Sequence, residues 1–278
     1  MKKYLAVILA VILFAVLIQM AYGEVRYMKV EAKVPSINGT ESMPYYIDSD
    51  FFMDRNQPVV CLHESPSSGY NREVYEEITK QALGNWTDKL YEKTGGHKQW
   101  YLHYVFVNDS GKQETTLDYK YCDINIVFTI DTPLNISTGS YIKGGTWHYV
   151  SANHWSDIKV YTWEYETEKP KFDNSTNVWK PQFKALLAVK EVSQQVLEHE
   201  LGHAFGLKHH ELDGKMYVND GGYDYEHAKK SIMYYATNPN HDENKQIQDI
   251  DIDAIIAKYG TDGWGGKTDK DIWVYFKQ

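Results

Sequence analysis

The chain has 278 residues, 42% of them hydrophobic and 24% charged, with a net charge of −9 and a pI near 5.7. That is enough apolar chain for one sizeable core or two small ones, and no low-complexity tract interrupts it. The acidic balance argues against nucleic acid or an anionic membrane surface as the main partner.

At the N-terminus, Lys2 and Lys3 precede an apolar run from Leu5 to Ile18, followed by Ala21-Tyr22-Gly23 with small residues flanking a cleavage point. This is the layout of a secretory signal peptide over residues 1–23, and the run is short for a membrane span. Left uncleaved, it would be an N-terminal membrane anchor. Either way the expected location is extracellular, secreted or anchored to the outer face of the cell membrane. Asn-x-Ser/Thr sequons at Asn38, Asn85, Asn108, Asn135 and Asn174 agree with export. Cys61 and Cys122 are the only cysteines. An even pair in an oxidising compartment suits one disulfide, with two buried thiols as the alternative.

Residues 24–57 carry Pro35, Asn38-Gly39, Pro44 and Asp48-Ser49-Asp50, and read as an N-terminal extension or short pro-segment. Regular order is expected from residue 58. Val59–His63 reads as a strand, and Tyr70–Leu90 as a helix, with Val74, Ile78, Ala82, Trp86 and Leu90 forming an apolar stripe. Trp100–Val107, Asp123–Phe128, Thr146–Val150 and Asp157–Thr162 read as further strands. A strand, a helix and several strands ahead of another helix give an α+β layering around a mixed sheet.

That later helix carries His199-Glu200-Leu201-Gly202-His203 and then Gly206 and His209. Its start is open: Ser193 is a good N-cap, yet Phe183–Val192 also allows one long helix from about residue 182. Four positions apart, His199 and His203 project from one helical face, so two imidazole nitrogens can reach one metal ion. Glu200 lies about 100° round the helix, too far for a third ligand but within reach of a metal-held water. Gly206 can take a positive φ, letting the chain turn back and bring His209 to the same ion. Three protein ligands and one open position define a catalytic zinc site rather than a structural one. A bare HExxH arises by chance in roughly a few per cent of such chains, and the fixed offsets of Gly206 and His209 lower that by about 100-fold. Leu197, Leu201 and Ala204 occupy the opposite face and are expected in the core.

Ser231-Ile232-Met233-Tyr234-Tyr235 follows, its methionine 24 residues past His209, and then an apolar-periodic helix Asp249–Gly260. Together these stretches resemble the metzincin zinc endopeptidases. The zinc motif matches HExxHxxGxxH, Met233 stands where the family has its Met-turn, and the last helix ends in Tyr-Gly as in matrixins. The specific resemblance covers about 193–260 and extends diffusely back to 58.

The resemblance implies a zincin-like domain over 58–260, with a five-stranded mixed sheet, helices and a smaller C-terminal subdomain, followed by a tail over 261–278. It implies one catalytic zinc on His199, His203 and His209, and hydrolysis of peptide bonds by a zinc-activated water with Glu200 as general base. It also implies that an extended polypeptide pairs with an edge strand near Thr146–Tyr149, in a monomer. Tyr235 stands where astacins and serralysins carry a tyrosine that ligates the resting zinc or stabilises the oxyanion; a wall of the substrate pocket is the alternative role. The family's sheet order makes the first and third strands neighbours, which would join Cys61 to Cys122. His148 lies near a matrixin structural-zinc ligand, but the later histidine of that site is missing, so no structural zinc is expected. Calcium at Asn219–Asp224 has only one short acidic glycine loop behind it. His210 is the rival third ligand. A non-catalytic adhesion module on the same scaffold and a zinc amidase acting on cell-wall peptides are the alternative functions.

Overall fold

The computed structural model describes residues 29–30, 45–46, 51, 53, 55–96, 100–107, 122–137, 140–150, 154–209, 211–212, 215–216, 231–234 and 245–264. Tyr235, His210, the Asn219–Asp224 loop, residues 1–23 and the tail beyond 264 lie outside the described residues. The first elements are a two-stranded pair, β1 (Lys29–Val30) and β2 (Tyr45–Tyr46). The main sheet is built from β3 (Val59–His63), β4 (His103–Val107), β5 (Ile124–Thr129), β8 (Gly144–Val150) and β9 (His154–Tyr161). Two short strands, β6 (Leu134–Asn135) and β7 (Ser140–Tyr141), pair between β5 and β8. A long hairpin, β10 (Trp163–Asp173) and β11 (Val178–Leu187), separates β9 from the second helix. Beyond that helix a second short pair follows, β12 (Glu211–Leu212) and β13 (Lys215–Met216). The helices are α1 (Arg72–Thr94), α2 (Lys190–Ala204) and α3 (Asp249–Tyr259).

The five strands lie in the order β4-β3-β5-β9-β8, with β8 antiparallel to β9 and every other pair parallel. The expected mixed five-stranded sheet is therefore present. Parallel strands are normally covered on both faces, and their sequences show it. Val60, Leu62, Ile124, Ile126, Phe128, Ile158 and Val160 join the main core, while Val59, Cys61, Val105, Val107 and Cys122 form a second cluster. Helix α1 packs Ile78, Ala82, Trp86 and Leu90 into the main core and begins where the Asn71 side chain accepts the Val74 N–H. The Asn85 amide donates to Glu198 of α2 at 2.6 Å, so this sequon lies in a helix–helix seam. No helix among the described residues is long and apolar enough to cross a membrane.

Three boundaries differ from expectation. Phe51 and Met53 are fully buried, so the core reaches into the stretch expected to be an extension. Phe51 stacks on His148 at 4.2 Å, and Met53 donates its N–H to the Tyr259 hydroxyl. Helix α2 starts at Lys190 rather than at Ser193 or near 182, because Phe183–Leu187 satisfies its backbone in the β10–β11 ladder. Ser193 is buried instead, its hydroxyl 2.9 Å from that of Tyr70. At the other end Trp264 is fully buried, edge-on to Trp100 and Tyr259, so the start of the tail also belongs to the core.

Cys61 and Cys122 form the expected disulfide, with Cα atoms 5.8 Å apart and a sequence separation of 61. Closing a loop of that length stabilises the fold by about 4 kcal/mol in the chain-entropy account. Replacing both cysteines with alanine should lower the unfolding free energy by about 2–4 kcal/mol in denaturant titrations. Non-reduced peptide mapping should recover the linked pair, and two alkylatable thiols would contradict the bridge.

Candidate metal centre

The centre begins with how α2 ends. The Gly206 N–H bonds the His203 carbonyl at 2.7 Å and the Leu207 N–H bonds the Gly202 carbonyl at 2.9 Å. This is a Schellman termination, and it requires the positive φ of 86° found at Gly206. A β-carbon there would also meet the Lys258 side chain of α3. The turn reverses the chain within three residues and returns His209 beneath the helix.

The result is a convergence of three ring nitrogens. His199 Nε2 lies 3.1 Å from His203 Nε2 and 2.9 Å from His209 Nε2, and the last two are 3.0 Å apart. His199 Nδ1 lies 2.6 Å from the Ile232 carbonyl, and His203 Nδ1 2.8 Å from the Leu207 carbonyl. A carbonyl can only accept, so both Nδ1 atoms carry protons and both Nε2 atoms of the neutral rings present lone pairs. Lone pairs facing one another at such distances repel unless a cation sits among them. The three histidines are thus a group that can hold a metal ion. The backbone carbonyls act as outer-shell partners, fixing tautomer and ring orientation.

The turn that supplies the Ile232 carbonyl is tied to α3. Ser231 Oγ donates to Asp251 at 2.7 Å and accepts the Met233 N–H at 3.0 Å. Ile232 N–H bonds the Gln246 carbonyl at 2.8 Å, and the Gln248–Asp251 capping box fixes the end of α3. Met233 is fully buried, and a β-carbon on Gly202 would collide with its sulfur. Met233 therefore lies against α2 at Gly202, next to His203.

Glu200 points elsewhere, toward β8. Its carboxylate accepts from Thr146 Oγ1 at 2.7 Å and rests against the backbone of Gly144. Burial pushes its carboxyl up to about 7, against the opposing pull of the Thr146 hydroxyl. His148, next on the same strand face, is pushed down to about 3 mainly by burial, with the positive charges of Lys258 and Lys208 acting in the same direction. It is a neutral packing residue, its Nδ1 3.0 Å from the Ser156 hydroxyl.

The structure thus brings His199, His203 and His209 together, with Gly206 at the turn before His209 and Met233 packed against Gly202, while the Glu200 carboxylate turns to Thr146. The hydroxyl contacts of Thr146 and Ser231, and the anchoring by Asp251, are not readable from sequence, since they span 54 and 20 positions. No protein-family model matches the chain, and no curated protein matches it. Replacing Ser231 with alanine should weaken divalent-metal affinity about 10–100-fold by releasing the turn that orients His199. Competition with a chromophoric chelator measures it, and unchanged affinity would show that the turn holds without that hydroxyl.

Proposed function

We propose that the protein is a zinc-dependent endopeptidase of the metzincin type, exported from the cell. The observation that carries this reading is the meeting of His199, His203 and His209 through their Nε2 atoms, within 3.1 Å of one another. The donor set fits zinc: nitrogens held at about 2.0–2.1 Å around a tetrahedral ion lie roughly 3.3 Å apart. Imidazole is also a borderline donor that suits zinc, whereas calcium and magnesium prefer oxygen. When bound, zinc supplies a Lewis acid that acidifies water and polarises a carbonyl.

The remaining work falls to the chain. The Glu200 carboxylate, one position along the helix from a ligand, accepts a proton from the attacking water and returns it to the departing amine. Burial of that carboxylate keeps bulk water from competing for the proton. Strand β8 is the outermost strand of the sheet and carries Thr146 against Glu200. An extended polypeptide added along it would be gripped through its backbone, which suits protein substrates of varied sequence. The intact ligand set and Glu200 weigh against a purely adhesive role.

Casein or gelatin should be cleaved by the purified protein lacking residues 1–23, and a chelator should abolish cleavage. One zinc should be found per chain, lost in His209→Ala and retained in His210→Ala. Glu200→Ala should keep the metal and lose about 10²–10⁴ in turnover. Zinc affinity should fall on acidification, because ligating imidazole must be unprotonated. Chelator-resistant cleavage, or full zinc in His209→Ala, would overturn the assignment. Cleavage of wall peptides but not of unfolded protein would redirect it to an amidase.

A further inference from the structure

We infer that Thr146 is the positioning residue for Glu200, so that the outermost strand of the sheet aims the proton-transfer group. The catalytic consequence rests on the peptidase reading above; the contact itself does not.

The contact is specific in both oxygens of the carboxylate. Thr146 Oγ1 lies 2.7 Å from Glu200 Oε2 and 3.0 Å from the Glu200 backbone carbonyl. A hydroxyl has one proton, and the shorter contact to a carboxylate is the stronger acceptor. On the other oxygen, a β-carbon at Gly144 would lie 2.7 Å from Oε1 and 2.7 Å from Val196 Cγ1. The carboxylate therefore seats where residue 144 has no side chain, while residue 146 supplies the donor. Alternate residues of a strand share a face, so one strand segment determines where both oxygens sit.

A glutamate has three side-chain torsions and loses more freedom than most residues when it is ordered. Proton transfer tolerates little of that freedom, since a misplacement of about 1 Å can cost about 10²-fold. Thr146 is itself fixed by the ladder, opposite Ile158 of β9. The β8 backbone thus sets where the Glu200 carboxylate sits. A polypeptide lying along β8 would meet a carboxylate already placed relative to the strand that grips it.

Thr146→Val and Thr146→Ser in the exported, purified protein test this. Valine keeps the shape and removes the hydroxyl; serine keeps the hydroxyl and removes a methyl. On casein-derived peptide, Thr146→Val should lower kcat about tenfold or more, with KM and zinc affinity within about twofold of the parent. Thr146→Ser should recover most of kcat. A second readout needs no turnover: in metal-free protein, a double-mutant cycle of Thr146→Val with Glu200→Ala should show coupling of about fivefold or more in the unfolding constant. Additive effects in that cycle would overturn the contact. A valine variant with parental kcat, a serine variant as impaired as valine, or a rise in KM alone would overturn the positioning role. A parent that cleaves no peptide while the cycle shows coupling would sink the peptidase reading, and the catalytic role with it, but leave the contact standing.

Discussion

The Nε2 lone pairs of His199 and His203, 3.1 Å apart, repel, and the fold must hold both rings, with His209 Nε2 beside them, before any cation relieves that repulsion. Each imposed constraint comes from a different part of the chain. The Ile232 carbonyl holds one ring through a turn tied to α3, and the Leu207 carbonyl holds another through the end of α2 itself. From the opposite side, Trp86 of α1 donates its indole N–H to the Glu198 carbonyl at 2.9 Å. The helix is therefore gripped by its neighbours at successive positions, 198, 199 and 200, and has little freedom to rotate the rings apart. This is preorganisation in the ordinary sense: rigid elements carry the three rings, and hydrogen-bonded partners lock the rotamers of two of them.

The same economy shows in the residues that are small. Glycine inside a helix costs about 1 kcal/mol relative to alanine. Gly202 sits there nonetheless, because a β-carbon would drive into the Met233 sulfur. Close approach of the methionine turn to α2 is worth more than local helix propensity. The sheet contributes in a similar way, placing the disulfide and its apolar cluster away from the core that supports α2. Reinforcement and site are thus separated within one sheet.

Much of this was legible in sequence where the signal is local and periodic. His199 and His203 share a helical face by spacing alone, Gly206 marks the helix end, and β3 and α3 begin where their patterns begin. Long-range contacts were not legible in that way. Asp251 is one polar position in an apolar-periodic helix, yet it anchors the turn carrying Met233. Thr146 reads as a β-branched strand former, yet its hydroxyl serves a residue 54 positions away. The start of α2 was misjudged because Phe183–Leu187 has both helical and strand periodicity, and only pairing with Trp163–Thr167 decides between them. The hairpin itself gave little alternation to read, since most of its side chains face solvent.

That hairpin leaves the sheet after β9 and returns just ahead of α2, and its two ends are stitched together. The Ala188 N–H bonds the Thr162 carbonyl at 2.7 Å, while Thr162 Oγ1 reaches the Ser68 carbonyl at 2.6 Å. Entry and exit are thereby tied at the root, independently of the ribbon's length. Because loop-closure entropy grows only with the logarithm of length, the excursion could be shortened or extended at small thermodynamic cost. Exposed at its far end are Phe172 and Trp179, ring against ring at 5.2 Å. Such an arm can change in length and chemistry while the histidines a few turns downstream keep their places. The molecule thus has a part free to change and a part that is not, joined at the root of the hairpin.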